Sequence, residues 1–190
     1  MELKENQTEY FNNLLEKAGS RQQNLILLKE YNYKSIGFFG KRKLRKSISE
    51  FEECLEMIPD HWESMFLMAK AHQRLGEHNK SLKLLEKAFK IETDNPMIPM
   101  EAALESMHME DIDKAIFYSE ESLKRKPNDF ALLGNHAMNL LIAKRDEEAK
   151  IVIEQAIELF PNDPNNQNVE AKINNVIAGE EKRPTFKDVI

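Results

Sequence analysis

A chain of 190 residues with a net charge of −6 and a pI near 5.5 is poorly suited to general polyanion binding, because phosphate contacts dominate nucleic-acid affinity. Its 41% hydrophobic and 32% charged residues, with only six Gly and seven Pro, favour a helix-rich globular chain over an all-β or disordered one. Cys54 is the single cysteine, which excludes an intrachain disulfide and a cysteine-cluster metal site.

In chain order, the opening MELKENQTEY lacks the basic and apolar regions of a signal peptide, so a reducing cytoplasm is the expected location. Residues 1–27 read as an amphipathic helical region, with Leu3, Tyr10, Phe11, Leu14, Leu15 and Ala18 on its apolar face, placed either to cap the first unit or to cover an apolar groove of the same chain. Residues 28–61 read as a degenerate helical pair. Its first helix is interrupted by Gly37 and Gly40, and the basic run KRKLRK, Lys41 to Lys46, occupies the turn and the first residues of its second helix, read as a solvated turn. Units at 62–95, 96–129 and 130–163 follow, each read as helix, short turn, helix. The window from Phe130 to Ala143 is the most apolar, but Asn135, His136 and Asn139 interrupt it, and it is shorter than the roughly 20 apolar residues a membrane span needs. Residues 164–178 carry one apolar stripe, Val169, Ile173, Val176 and Ile177, as a terminal capping helix requires, and 179–190 read as a mobile polar tail.

The units recur at a step of 34 residues. Ser47, Ser81, Ala115 and Ala149 form one column of small residues, and Cys54, Ala88, Ser122 and Ala156 form another seven residues on. Mostly large apolar residues accompany them: Phe51, Leu85, Ser119 and Ile153, then Leu55, Phe89, Leu123 and Ile157. Pro59, Thr93, Pro127 and Pro161 close the set, a helix stop in three of four copies. Ala69, Ala103, Ala137 and Ala171 mark the preceding helix of each unit with the same step. Asp60 with Glu63, Asp111, and Asp163 with Pro164 read as helix starts, and Gly76 as a turn. Small residues permit close helix approach, large ones fill the space between units, and a lone hairpin of this size cannot bury its own apolar face.

These columns resemble the tetratricopeptide repeat, most clearly in AHQRLGEHNKSLKLLEKAFKI, MEDIDKAIFYSEESLKRKPND and RDEEAKIVIEQAIELFPND. The resemblance covers residues 28 to 178 and implies an all-α, right-handed superhelical solenoid of helix-turn-helix repeats with a C-terminal capping helix. It also implies a concave groove lined by the first helix of each unit. Carried onto this chain, that groove takes Phe66, Leu67, Lys70 and Arg74, then Met97, Met100, Glu101, Leu104 and Met107, then Asn135, Met138, Leu141 and Ile142. Some co-chaperones of the family hold a ligand's terminal carboxylate through Lys, Asn, Asn, Lys and Arg. Here the same places hold Phe66, Lys70, Glu101, Ala131 and Asn135, so that clamp is expected to be absent.

The function so implied is non-enzymatic: a scaffold or adaptor that takes an apolar helix or extended segment of a protein in its groove, without cofactor, metal or membrane. No phosphate-binding glycine loop or nucleophile elbow is present, and none of the five histidines are paired at helical metal spacing. His72 and His136 read as interior histidines, and Cys54 as a buried, inert thiol. An alternative within the family is a small acidic secretion-type chaperone holding apolar segments. An alternative of another class is a nucleic-acid-associated subunit acting through Lys41–Lys46, for which an acidic chain supplies few further cations. Monomer and dimer are both left open.

Overall fold

The computed structural model describes residues 4–26 and 35–189. Leu3, expected on the apolar face of the leading helix, and the stretch 28–34 that opens the degenerate unit lie outside them. The described residues form ten α-helices and no strand, and they divide after Thr93 into two compact units. The first unit holds α1 (Glu5–Gln22), α2 (Phe38–Met57), α3 (Trp62–Arg74) and α4 (His78–Ile91). The second holds α5 (Met97–His108), α6 (Ile112–Arg125), α7 (Phe130–Ile142), α8 (Asp146–Leu159), α9 (Pro164–Ala178) and the short α10 (Phe186–Val189).

Helices pair as α1 with α2, α3 with α4, α5 with α6 and α7 with α8. Within the first unit α2 also packs on α3; within the second α6 packs on α7, and α9 on both α7 and α8. The small columns explain the pairing. Ser47, Ser81, Ala115, Ala149, Cys54, Ala88, Ser122 and Ala156 are all buried, as are Ala69, Ala103 and Ala137. Ala171, on the closing helix α9, is exposed. Serines add a polar tie at the close approach: Ser47 Oγ donates to the Ala18 carbonyl at 2.8 Å, and Ser122 Oγ to the Pro96 carbonyl at 2.8 Å. Phe51, Leu85 and Ile153 fill the space beside these columns and are fully buried.

The turns inside the hairpins share one construction. Gly76, Glu110 and Lys144 have φ of 75°, 59° and 64°, the left-handed conformation that reverses a helix end. In each case the next amide reaches back to a helix carbonyl: Glu77 to His72, Asp111 to Ser106 and Arg145 to Leu140, all at 2.9 Å. Only the glycine among them announces such a turn. Helix starts follow the expected chemistry at Asp111 and Asp163, whose carboxylates accept from the amides of Lys114 and Asn166. At α3 the cap is His61 rather than Asp60: its Nδ1 accepts from the Ser64 amide at 3.2 Å.

The degenerate unit is built differently from the expectation. The partner of α2 is α1, which buries Phe11, Leu14, Ala18 and Gln22 along one face. Phe11 and Leu14 pack with Cys54, and the Phe11 ring meets His61 edge-on at 5.0 Å. The amphipathic leading helix thus supplies the hairpin's first arm. KRKLRK lies wholly within α2, whose N-cap is Gly37, and not in a turn.

Gly134 in α7 faces the buried side chain of Asn166 from α9, whose Nδ2 donates to the Phe130 carbonyl at 3.0 Å. A Cβ at Gly134 would overlap Asn166 Oδ1. Helix propensity alone predicts that Gly134→Ala stabilises by about 1 kcal/mol. We expect the opposite sign, a loss of about 1 to 2 kcal/mol in chemical denaturation, because Asn166 must give up its bond. A gain would show that Asn166 has room to move aside.

Candidate functional site

The face of α3 expected to open the groove is taken up by the chain itself. Phe66 and Lys70 are 8% and 1% exposed, so neither is free to line a groove. Gln22 Nε2, at the buried end of α1, donates to the Leu67 carbonyl at 3.0 Å, and Arg74 Nε donates to the Leu25 carbonyl at 2.9 Å. The physical reason lies in α1. As the first arm of a hairpin it delivers the residues after Ala18 onto α3, where their polar groups find partners.

In the second unit the expected residues separate into two groups. Met97, Met100 and Leu104 of α5, with Met138 and Ile142 of α7, are half-buried, and Asn135 is exposed. Glu101, Met107 and Leu141 are buried at 0%, 1% and 0% exposure, a correction to their place in the groove. Leu141 belongs to a core with Leu133, Ala137, Leu140 and Ile153. A helix with neighbours on two sides keeps only a narrow stripe outward, and residues one step around it are lost to packing.

The terminal segment, read from sequence as mobile, is tied to this unit. Arg183 makes paired bonds of 2.5 and 2.7 Å to the Asp146 carboxylate and a third of 2.6 Å to the Leu141 carbonyl. Pro184 is buried, the Phe186 ring meets His108 edge-on at 4.5 Å, and Lys187 lies 3.6 Å from Glu110. The segment therefore crosses the α5–α6 and α7–α8 turns, at the end of the half-buried apolar stripes. A polar sequence with one proline reads as a free tail; the available signal was Arg183, three residues before Phe186, the only aromatic of the segment.

Two buried polar side chains come together between α6 and α7. Ser119 Oγ lies 2.7 Å from His136 Nδ1 and donates to the Ile116 carbonyl at 3.0 Å, and among the described residues neither side chain has a carboxylate hydrogen-bond partner. Burial holds His136 below the ordinary imidazole value, with Arg145 acting in the same direction against Glu120 and Glu148. Burial likewise pushes the Cys54 thiol up, away from nucleophilic thiolate. Among the described residues, no group of three or more His, Cys, Asp and Glu is placed to hold a metal, and no helix is long and apolar enough to cross a membrane.

Comparison with known proteins agrees with this geometry. The tetratricopeptide repeat family model matches residues 63–95 and 131–163, so both stretches are tetratricopeptide repeats. No curated protein matches the sequence. Among solved structures, a crystal structure of MamA aligns over 95% of this chain and 89% of its own, with a TM-score of 0.75 at 10% identity. YrrB, described as a tetratricopeptide protein with an unusual peptide-binding site, aligns over 75% of this chain and 73% of its own at a TM-score of 0.65 and 13% identity. The first such domain of Spaghetti (RPAP3), solved with the HSP90 peptide SRMEEVD, aligns over 62% of this chain and 93% of its own at 0.58 and 17%. The fold is the all-α class of tetratricopeptide solenoids.

Two measurements follow from the site's electrostatics. The Arg183 hydrogen bonds hold the Asp146 carboxyl below its ordinary 3.8. A carboxylate so depressed supports docking above that value and loses it as pH falls through the lower one. Arg183→Gln should therefore speed hydrogen exchange of residues 183–189 at neutral pH while α7 and α8 stay protected; unchanged exchange would mean Phe186 holds the segment alone. For His136, the folded form resists protonation, so stability is complete above its ordinary 6.5 and declines as pH drops from there toward the depressed value. His136→Gln should flatten the fall in melting temperature over that window.

Proposed function

We propose that this tetratricopeptide-repeat chain is a non-enzymatic interaction scaffold that holds an apolar helix or extended segment of a protein partner on the outward stripes of α5 and α7. The observation that carries this reading is the half-exposed set of Met97, Met100 and Leu104 beside Met138 and Ile142, on helices whose small-residue stripes are already used in packing. Thioether side chains adapt to partners of varied shape. The peptide-bound RPAP3 domain and the peptide site described for YrrB support a ligand of this general kind.

Electrostatics narrow the partner. Phe66, Lys70 and Glu101 are buried and Ala131 has no polar group, so of the five places of a terminal-carboxylate clamp only Asn135 offers an exposed polar side chain, and it is uncharged. An apolar segment is the better match. Five half-exposed side chains offering about 40 Å² each would yield about 5 kcal/mol at 25 cal/mol per Å², less than the roughly 8 kcal/mol of a micromolar complex. The partner must therefore add contacts at the exposed rim, where Asn135 offers a hydrogen-bonding amide. The docked terminal segment favours a second reading, in which Phe186 and its neighbours regulate access to one end of the same stripes.

The test is selection of peptides on the full chain from a displayed library. Apolar sequences should be enriched, and Met100→Glu with Leu104→Glu should weaken them about tenfold or more while helicity is retained. Binding that survives the double substitution would overturn the assignment of these stripes, and loss of folding would show the two side chains to be core.

A further inference from the structure

Phe38 and Phe39 open α2 with 76% and 75% of their surface exposed, the largest exposures among the apolar side chains of the described residues. Burying neither of two adjacent phenylalanines is costly unless something covers them. Their rings meet edge-on at 5.7 Å, so they form a single apolar wedge. Around that wedge stand Lys41, Arg42, Lys43 and Lys46, all exposed and none with a carboxylate partner among the described residues. Arg45 is the exception, paired with Glu77 at 3.2 Å.

Helical spacing puts Phe38, Phe39, Arg42, Lys43 and Lys46 on one surface, with Lys41 at its edge beside Phe38. Phe38, Arg42 and Lys46 follow each other at steps of four, with Phe39 and Lys43 alongside, while Leu44, Ile48 and Phe51 point the other way and are buried. The first turn of α2 contains no acidic residue, so the positive end of the helix dipole adds to the cations. The cationic surface also reaches α1: Lys43 lines a cleft of about 520 Å³ with Lys17 and Arg21, two cations that share one carboxylate, Glu50.

We propose that the exposed face of α2, with the Phe38–Phe39 wedge set among Lys41, Arg42, Lys43 and Lys46, docks the protein on an anionic lipid bilayer. Aromatic rings without a polar atom gain most by entering the boundary between headgroups and acyl chains, and lysine and arginine beside them meet the acidic headgroups. A nucleic acid fits less well. Single strands are held by aromatic faces open for base stacking, and here one ring's edge stands against the other's face. Setting aside the five cations of KRKLRK, a chain of net charge −6 leaves −11 for all its other residues, which repels a long polyanion but not a plane touched at one place. No helix among the described residues crosses a membrane, so the contact is peripheral and reversible.

Sedimentation of the full chain with vesicles tests this, using phosphatidylcholine with and without about 30% phosphatidylserine. Binding should require the anionic lipid and drop about tenfold between about 0.1 M and 0.5 M salt. Phe38→Ser with Phe39→Ser, and separately Arg42→Gln with Lys46→Gln, should each weaken binding at least about tenfold with the melting temperature unchanged, since all four side chains are exposed. Absence of vesicle binding, equal binding to neutral vesicles, or tighter binding to a single-stranded RNA at the same salt would each overturn the proposal, the last by assigning the face to nucleic acid.

Discussion

Everything else in this molecule rests on how closely its paired helices approach each other. At Ser47, Ser81, Ala115 and Ala149, and again at Cys54, Ala88, Ser122 and Ala156, the side chain is almost wholly buried, and a larger one would have to displace its neighbours. The serine ties to Ala18 and Pro96 are possible only at that range. Close pairing on one face leaves Phe51, Leu85 and Ile153 to fill the next layer, which a hairpin alone cannot close. Each first helix thereby commits two faces to packing, and whatever it offers to another molecule must come from the narrow strip that remains.

This constraint explains which parts were legible beforehand. Small-residue columns are read directly, because few residue types tolerate the geometry and the step of 34 is exact from Ser47 to Ala149. Turns were half legible. Gly76 signals a left-handed residue, but Glu110 and Lys144 adopt the same conformation with side chains that ordinarily avoid it, held by the amides of Asp111 and Arg145 bonding back into the helix. The role of α1 was legible only in part: its apolar face read as a cap or a cover, but Gln22 and Phe38 stand much further apart in sequence than Arg74 and His78, so the step that aligns the later hairpins fails there. Burial of Ala18 against Ser47 shows the same packing reached out of register.

Patterning could not decide the site itself. A helical stripe shows which residues share a face, not whether the chain later covers that face with its own segments. On α3 it does, through Gln22 and the Leu25 carbonyl. On the second unit the terminal segment reaches only the ends, where Arg183 meets Asp146 and Phe186 meets His108. Glu101 and Lys70 illustrate the remaining failure: a charge in an apolar stripe reads as an exposed rim, yet both are buried. Long side chains can satisfy a charge some distance from their own Cα, which no periodicity records.

The basic run in α2 shows why charge and apolar exposure have to be weighed together. Taken as charge alone, KRKLRK in an acidic chain is an ordinary solvated surface, because cations on a helix need no partner to be stable in water. Phe38 and Phe39 change the balance, since water penalises exposed rings and rewards nothing in return. They precede the run, beside two glycines, and so read as part of a broken first helix until the start of α2 is fixed at Phe38. Once it is, Arg42, Lys43 and Lys46 share one helical surface with the wedge and Lys41 stands at its edge, while the close packing that buries Leu44 and Ile48 takes the opposite face.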